Sequence, residues 1–419
     1  MMRTLFITQD MLSPQNSGAR QRSALIHRAL CEVSQVDVLV VDVYGHTWPE
    51  AVLAEMKVKF SMLATLTPSR PSETGWWRYL RKFNPSLVQR LAHNLNQFFK
   101  PYHKDAKMAE RLAQITREHS YDLIVARYLK VAALSGCLDF NPVIVDVDDL
   151  DSEIFSSRLS LQGLPWWKRI ILRCYANRFH KLEGAVLRKV SNVFVTKLAD
   201  KQRLGLDNIR LLHNIPYVPS GGVRYTEVPI DGNIILMVGK LDWPRNSEAV
   251  DYFVDIVWPE IRRQVPDAIF RVVGKVAEPD RARWASVAGV EVVGYAESLE
   301  GAYRDAAFTV APIRAGGGTN IKVLESLAYG RTCVALRHAM RGFEGHLQHE
   351  ESLLIVEDGA AMAAACVVLL KDRKKAETMG ERGRQVILEQ YSYERFAETV
   401  KSTIEHALSP LSRHQQVVN

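Results

Sequence analysis

A glycine-rich stretch at 311–330 is the segment of this sequence best suited to hold a phosphate. Gly316–Gly318 follow an apolar, strand-like run, and the pattern predicts a helix that begins near Thr319. Glycine lets the backbone approach a ligand closely, and the N-terminus of a helix favours an anion. Glu325 falls about two turns into this helix, where a carboxylate can accept hydrogen bonds from ribose hydroxyls. The alternative is a flexible turn followed by a helix with a solvated glutamate.

A second group of polar residues lies at 238–247, again between a predicted strand, Ile234–Val238, and a helix predicted at 247–264. Lys240, Arg245 and Asn246 supply two cations and an amide there. Such groups can neutralise a diphosphate leaving group. An ordinary basic surface loop is the alternative.

Two aspartates, Asp148 and Asp149, follow the predicted strand Val143–Val147. A carboxylate at this place can orient a hydroxyl or accept its proton, with a raised pKa if it is buried. The alternative is that these aspartates only cap the following helix.

These residues must be positioned by strands and helices that alternate along the chain. Most of the predicted strands are nearly continuous apolar runs, which is typical of parallel strands buried on both faces. The alternation therefore predicts an α/β fold with doubly wound parallel sheets, in which ligands bind at the carboxyl ends of the strands. The strands are predicted at Leu5–Thr8, Val36–Val43, Asp122–Ala126, Val143–Val147, Asn192–Thr196, Ile209–Leu212, Ile234–Val238, Ile269–Val273, Val290–Val293, Phe308–Ile313, Thr332–Leu336 and Leu353–Val356.

Proline, glycine and serine interrupt this alternation at 214–232. This composition predicts a linker between two domains. We therefore expect a Rossmann-like N-terminal domain at 1–213 and a second one at 233–390. A helical tail at 391–419 is expected to cross back to the first domain. Residues 45–120 fit the alternation least well, and we expect an insertion or extra helices there.

Composition narrows the class of protein. The 419 residues are 47% hydrophobic and 24% charged, which is ordinary for a globular protein. No run reaches the length of a membrane-spanning helix, and the start has no signal-peptide pattern. Five widely spaced cysteines favour neither a disulfide framework nor a zinc site, and they indicate a reducing cytoplasm. We therefore expect a cytoplasmic protein.

The two phosphate-binding candidates, taken together, resemble the C-terminal domain of family 4 retaining glycosyltransferases, the group 1 glycosyl transferases with the GT-B fold. The similarity covers about 231–400 and extends through Phe270–Gly274, Val292–Tyr295, Arg341–Gly345 and Tyr391–Tyr393. The N-terminal half is similar more loosely. Its loop Pro14–Arg20 resembles the first loop of the family, which faces the sugar phosphate, and Val145–Ser152 resembles a subgroup linked to exopolysaccharide assembly.

The resemblance implies two such domains facing a cleft, with a nucleotide sugar on the C-terminal domain and the acceptor on the N-terminal one. Glu325 would bind the ribose, and Lys240 with Arg245 or Asn246 would hold the diphosphate. The implied catalytic residues are Asp148, Asp149, Lys240 and Arg245. The implied donor-binding residues are Gly18, Asn246, Gly274, Tyr295, Gly316, Gly317, Gly318, Thr319, Asn320, Lys322 and Glu325.

The sequence departs from the family pattern in two places. Gly317 stands where many members have an acidic residue that contacts the donor sugar, so backbone groups, Asn320 or Lys322 must recognise the sugar. Asp148 stands where many members have a histidine. In addition, Asp146 and Asp148 form the Asp-x-Asp pattern of metal-dependent GT-A glycosyltransferases. A second α/β domain with a glycine-rich loop favours GT-B, and we expect no cofactor and no essential metal.

Basic residues are concentrated in the first half, where residues 1–222 carry a net charge of +10 and residues 223–419 carry −3. Paired tryptophans lie among these cations in Gly75–Phe83 and Leu164–Arg173. That composition suits an anionic membrane surface, although a solvated helix face or an acceptor groove would look similar. No nucleic-acid motif is present, so we expect no nucleic-acid partner.

The sequence thus predicts a retaining glycosyltransferase that uses a nucleotide sugar and a saccharide or lipid-linked acceptor, in surface polysaccharide or glycolipid synthesis. It would be cytoplasmic, and its basic half would allow peripheral attachment to the inner face of the membrane. The alternatives are a GT-B sugar-nucleotide epimerase or hydrolase, and a non-catalytic protein that binds sugar nucleotides.

Overall fold

The structure is a computed structural model of the chain. It describes residues 2–13, 17–43, 48–68, 101–160, 164–216, 232–316, 318–343 and 345–409. Most of the predicted linker, the basic segment around Gly75–Phe83, and Gly317 lie outside the described residues.

The chain divides into two compact units. The N-terminal unit contains Met1–Leu159, Leu164–Leu212 and Ala397–Asn419, and the C-terminal unit contains Ser160–Gly163 and His213–Phe396. Each unit is built around its own parallel sheet.

The N-terminal unit has a seven-stranded sheet in the order β3-β2-β1-β4-β5-β6-β7, and every pair of neighbours is parallel. Central strands are buried almost throughout because helices cover both faces. The strands are β1 (Arg3–Thr8), β2 (Gln35–Val41), β3 (Met62–Leu66), β4 (Leu123–Arg127), β5 (Val143–Asp148), β6 (Asn192–Val195) and β7 (Ile209–Leu211).

Helices connect these strands as crossovers between parallel neighbours. The described helices of this half are α1 (Gly18–Cys31), α2 (Glu50–Phe60), α3 (Ala106–Glu118), α4 (Leu129–Ser135), α5 (Asp151–Ser157), α6 (Trp166–Leu187) and α7 (Leu198–Leu204).

The C-terminal unit repeats the arrangement with six parallel strands in the order β10-β9-β8-β11-β12-β13. They are β8 (Ile234–Val238), β9 (Ile269–Val273), β10 (Val290–Gly294), β11 (Phe308–Ala311), β12 (Cys333–Leu336) and β13 (Leu354–Val356). Its described helices are α8 (Pro244–Tyr252), α9 (Trp258–Gln264), α10 (Glu278–Ala285), α11 (Glu300–Asp305), α12 (Ile321–Ala328), α13 (Gly359–Lys371), α14 (Arg373–Gln390) and α15 (Tyr393–Leu408), and α15 ends in the N-terminal unit.

The predicted pair of doubly wound parallel sheets is confirmed. In both sheets the strand order reverses beside the first strand, so each has a switch point at which α/β proteins bind ligands.

Three local predictions were wrong. Strand β3 was missed within 45–120. The helix predicted at 247–264 is two helices joined by a π-helical turn at Phe253–Val257. Helix α12 begins at Ile321 rather than near Thr319, so Glu325 lies one turn into it, not two.

Candidate functional site

The carboxyl ends of β8 and β9 touch at two glycines in the C-terminal unit. Gly274 has φ +145°, and a Cβ atom placed on it would lie 1.7 Å from the carbonyl oxygen of Gly239. Only glycine allows this approach. The contact fixes the start of the loop that carries Lys240, Arg245 and Asn246.

Arg245 packs against the glycine-rich loop that follows β11. Gly316 has φ +131°, and a Cβ atom placed on it would lie 2.8 Å from Arg245 Nη1. The structure therefore brings the two sequence motifs together. Gly317 lies outside the described residues, so its expected part in sugar recognition stays a prediction.

Asn246 joins the two motifs through hydrogen bonds. Its Nδ2 donates to the carbonyl oxygen of Lys240 at 2.8 Å, and its Oδ1 accepts from Lys322 Nζ at 2.8 Å. A Cβ atom on Gly239 would lie 3.3 Å from the same Lys322 nitrogen. The ammonium group of Lys322 and the side-chain amide of Asn246 therefore lie together against the loop that begins at Gly239.

Burial shifts the pKa values of the two charged side chains of α12. It raises the pKa of Glu325 to about 7, against the opposing effect of Lys322. It lowers the pKa of Lys322 to about 8, against the opposing effect of Glu325. Glu325 is partly buried and does not lie on the solvated helix face that was the alternative.

The other implied donor residues lie around this edge with varied contacts. Thr319 Oγ1 accepts from Asn214 Nδ2 at 2.5 Å, and Asn320 Nδ2 donates to the carbonyl oxygen of Ala339 at 3.0 Å. Gly318 is partly buried beside Thr319. Tyr295 follows β10 with 69% of its surface exposed, and no described contact ties it to the motifs.

His338 belongs to this edge, although no sequence motif pointed to it. Its Nε2 lies 3.0 Å from the carbonyl oxygen of Gly316 and donates to it in the tautomer that carries a proton there. The residue lies two positions after the end of β12. Its place after a strand of a parallel sheet was the usable clue.

The corresponding edge of the N-terminal unit contains a buried network of charges. Asp146 is fully buried, and its carboxylate accepts from Arg22 Nη2 at 2.6 Å and from Arg22 Nε at 3.0 Å. Arg127 Nη1 also donates to it. Because two guanidinium groups occupy both oxygens of Asp146, the Asp-x-Asp pattern does not present a free pair of metal ligands.

Asp148 is held by the same network. Its carboxylate accepts from Arg127 Nη2 at 2.9 Å, and its side chain is 19% exposed. Its φ is +61°, and Tyr128 on the neighbouring strand end has φ +69°. Such values are strained for residues other than glycine, and strain of this kind concentrates at functional sites.

Asp149 is paired with a different cation. Its carboxylate accepts from Lys197 Nζ at 3.1 Å, and Lys197 also lies 3.1 Å from Asp200. Burial raises the pKa of Asp149, with Lys197 opposing the shift. The capping alternative is wrong for both aspartates, because α5 begins at Asp151 with Leu150 as its N-cap and has no side-chain cap.

Gly18 lies in the first turn of α1. Ser17 caps that helix by accepting from the backbone nitrogen of Arg20 at 3.4 Å. Residues 14–16 of the same loop lie outside the described residues. The expected contact of Gly18 with a sugar phosphate therefore stays a prediction.

The beginning of α6 carries the second Trp-Trp pair. Trp166, Trp167, Ile170 and Ile171 are between 47% and 74% exposed, and Lys168, Arg169 and Arg173 on the same turns are exposed as well. None of the helices that the structure describes is long and apolar enough to cross a bilayer.

The family model described as "Glycosyl transferases group 1" matches residues 232–372, so this part of the chain is similar to the group 1 glycosyltransferase domain. No curated protein matches the chain by sequence. The resemblance inferred from the motifs is thus confirmed for the unit that carries them.

Solved structures with the GT-B fold are similar to the whole chain. HepE from Anabaena, solved in complex with UDP, has a TM-score of 0.66 at 13% identity, over 96% of this chain and 100% of HepE. Sucrose-phosphate synthase from Thermosynechococcus elongatus has a TM-score of 0.64 at 17% identity, over 97% and 98%. A TarM mutant from S. aureus, solved with Fondaparinux, alpha-GlcNAc-glycerol and UDP, has a TM-score of 0.64 at 10% identity, over 96% and 99%. The protein therefore has the GT-B fold.

Proposed function

We propose that this protein is a retaining glycosyltransferase. It transfers a sugar from a nucleoside diphosphate to a saccharide or lipid-linked acceptor in the synthesis of a surface polysaccharide or glycolipid. The observation that carries the proposal is the contact between the two motifs of the group 1 domain, where Arg245 packs on Gly316 and Asn246 bonds to Lys322. The contact brings Lys240, Arg245, Lys322 and Glu325 together with glycine backbone at the carboxyl edge of the C-terminal sheet.

The donor is expected to bind with its diphosphate at this edge. Lys240 and Arg245 would neutralise the charge that grows on the leaving phosphate, and Lys322 would add a third cation. Glu325 would accept hydrogen bonds from the ribose. UDP is the first nucleotide to test, because HepE and TarM were solved with it.

The acceptor is expected at the carboxyl edge of the N-terminal sheet. Asp148 or Asp149 would orient the attacking hydroxyl and accept its proton as the bond from sugar to phosphate breaks. Burial raises the pKa of Asp149, which makes its carboxylate a stronger base. The cations of the donor edge can neutralise the diphosphate without a metal ion. We therefore propose metal-independent catalysis, by an enzyme of the cytoplasm.

The test is transfer from a panel of UDP-, GDP- and ADP-sugars to added saccharide and polyprenyl-phosphate-linked acceptors. We expect a glycosylated product whose anomeric configuration, read by NMR, is that of the donor. Release of free sugar without acceptor dependence would favour the epimerase or hydrolase alternative. Nucleotide binding without turnover would favour a non-catalytic protein. Loss of activity in EDTA, restored by manganese, would contradict the proposed metal independence.

A further inference from the structure

The N-terminal unit contains a cavity of about 210 Å³. Gln9 after β1, Tyr128 and Lys130 after β4, and Asp148 and Asp149 at the end of β5 line it. Strand order in this sheet reverses at β1 and β4, so the cavity lies at the switch point where α/β sheets bind ligands. It is smaller than the roughly 300–1,000 Å³ of a pocket for a drug-sized ligand, and its size suits a single sugar ring.

The far wall of the cavity is rigid and polar. The Tyr102 hydroxyl donates to Asp151 Oδ2 at 2.9 Å, and its oxygen lies 3.2 Å from Glu183 Oε1. Glu183 is fully buried and accepts from the backbone nitrogen and the hydroxyl of Ser152, at 2.9 and 2.5 Å. Side chains held in this way are preorganised for a ligand, so binding costs little side-chain ordering.

The polar groups of the lining are mainly oxygen atoms, and Leu129, Val147 and Ile154 supply its apolar part. Asp148, Asp149, Asp151 and Glu183 line the cavity, against one cation, Lys130. The cations that pair with the first two are not part of the lining. Arg127 and Lys197 are 0% and 1% exposed, and they hold the carboxylates from behind.

This lining discriminates by charge. A ligand with its own carboxylate or phosphate would face several carboxylates at short range and would be repelled. A ligand rich in hydroxyl groups would supply the donors that carboxylate and phenol oxygens accept, and Lys130 could donate in return. Tyr128 and Asp148, whose backbone is strained, also line the cavity. Strain of this kind concentrates where function requires it.

We infer that this cavity binds the terminal sugar of the acceptor, and that this sugar is an uncharged, hydroxyl-rich ring rather than a uronate or a phosphorylated group. The inference rests on the proposed transferase function and adds the acceptor class to it. It assigns Tyr102, Lys130, Asp151 and Glu183 to acceptor recognition. Of these, only Asp151 lies in a stretch that the sequence analysis singled out, Val145–Ser152.

The experiment measures binding of methyl glucoside, methyl galactoside and methyl N-acetylglucosaminide to the full chain by saturation-transfer NMR, beside the corresponding methyl uronides. At least one neutral glycoside is expected to bind at least tenfold more tightly than any uronide. A uronide that binds as well as the neutral sugars overturns the inference, and so does the absence of binding by every glycoside.

Two variants localise the binding. Ile154 lines the cavity on α5. Ile154→Trp should fill it and weaken the neutral glycoside at least tenfold, whereas the matched control Ile154→Val should change affinity less than twofold. Asp151→Asn removes one carboxylate at constant size and should weaken binding severalfold. Unchanged affinity in both Ile154→Trp and Asp151→Asn overturns the assignment.

Nucleotide binding by the same samples separates this inference from the proposed function. Thermal shift with UDP, GDP and ADP should be the same for wild type and all three variants, which also shows that they are folded. If wild type binds no nucleoside diphosphate, the proposed function fails. If it binds one and the glycoside results are negative, only the cavity assignment fails.

Discussion

The two sheets have the same strand order around their switch points, yet their carboxyl edges carry opposite chemistry. The C-terminal edge has Lys240, Arg245 and Lys322 beside glycine backbone, with Glu325 on α12 and with Asp242 paired to Lys275. The N-terminal edge buries two arginines under three aspartates and opens into a cavity lined by carboxylates. One edge is built to receive an anion and the other to receive hydrogen-bond donors.

This difference shows that topology sets where a ligand binds and side chains set which ligand binds. The glycines of the C-terminal edge permit close contact between backbone segments and leave its cations available. The guanidinium groups of the N-terminal edge are not available to a ligand, because each donates hydrogen bonds to aspartates of the same unit.

The largest effect is expected from removing a cation of the N-terminal network. Arg127→Met removes the buried guanidinium group that pairs with Asp10, Asp146 and Asp148. Breaking a buried ion pair in this way costs about 3–5 kcal/mol. We expect that loss in the free energy of unfolding of the N-terminal unit, measured by urea denaturation.

The matched control is Lys104→Met, which breaks an exposed pair with Asp139 in the same unit. An exposed pair contributes about 0–1 kcal/mol. Equal losses in the two variants would show that the buried network has no special role.

Glu325→Ala is expected to weaken nucleotide binding by about 1–3 kcal/mol, because the ribose hydroxyls lose a charged acceptor. Isothermal titration with UDP measures the change. Asp151→Asn, at the other edge, should leave the same affinity intact. If Glu325→Ala binds UDP as tightly as wild type, Glu325 does not belong to the donor site.

The pH dependence of donor binding should reflect the Lys322–Glu325 pair. Below about 7 Glu325 takes up a proton, and above about 8 Lys322 loses one. Because binding needs the carboxylate and the ammonium together, affinity for a nucleotide sugar should be greatest between these values. Each limb should fall by at most tenfold per pH unit.

Substitutions identify the two limbs of this profile. Glu325→Gln should remove the acidic limb and Lys322→Met the basic limb. If the affinity of wild type for the nucleotide sugar is constant from pH 6 to 9, protonation of this pair does not control donor binding.

The smallest effect per residue is expected at the membrane. Each cation near an anionic bilayer contributes about 1 kcal/mol, and Lys168, Arg169 and Arg173 surround the exposed tryptophans of α6. Replacing these three cations with Glu should abolish co-sedimentation with phosphatidylserine vesicles at low salt. High salt should release wild type, because screening shortens the reach of the charges.

The same charge change at Lys371, Arg373 and Lys374, which are exposed in the C-terminal unit, is the control. Co-sedimentation should survive it. If both triple variants lose vesicle binding equally, binding to the membrane depends on the net charge of the protein, and α6 is not a docking surface.

Periodicity and motif spacing predicted most of the fold, because buried parallel strands leave an apolar signature. Strands β8 and β9 have the predicted bounds. Strand β3 was missed because it is an edge strand in which only Met62 is buried. The helix predicted at 247–264 is broken near Pro259, where a proline cannot donate a helical hydrogen bond.

The candidate site was predictable only in its local parts. Lys240, Arg245 and the glycine-rich loop could be found because they follow strands that the pattern reveals. The bond between Arg22 and Asp146 joins residues 124 positions apart, and a single sequence carries no signal for such a pair. Tyr102 and Glu183 were missed for the same reason, since their contact is made by tertiary packing.

The most direct test of the division between the two edges is hydrogen exchange of the full chain with and without the nucleoside diphosphate that gives the largest thermal shift among UDP, GDP and ADP. We expect slower exchange at 239–247 and 315–326, with exchange at 128–131 and 148–155 unchanged. Protection confined to the N-terminal segments, or no protection with any nucleotide, would contradict it.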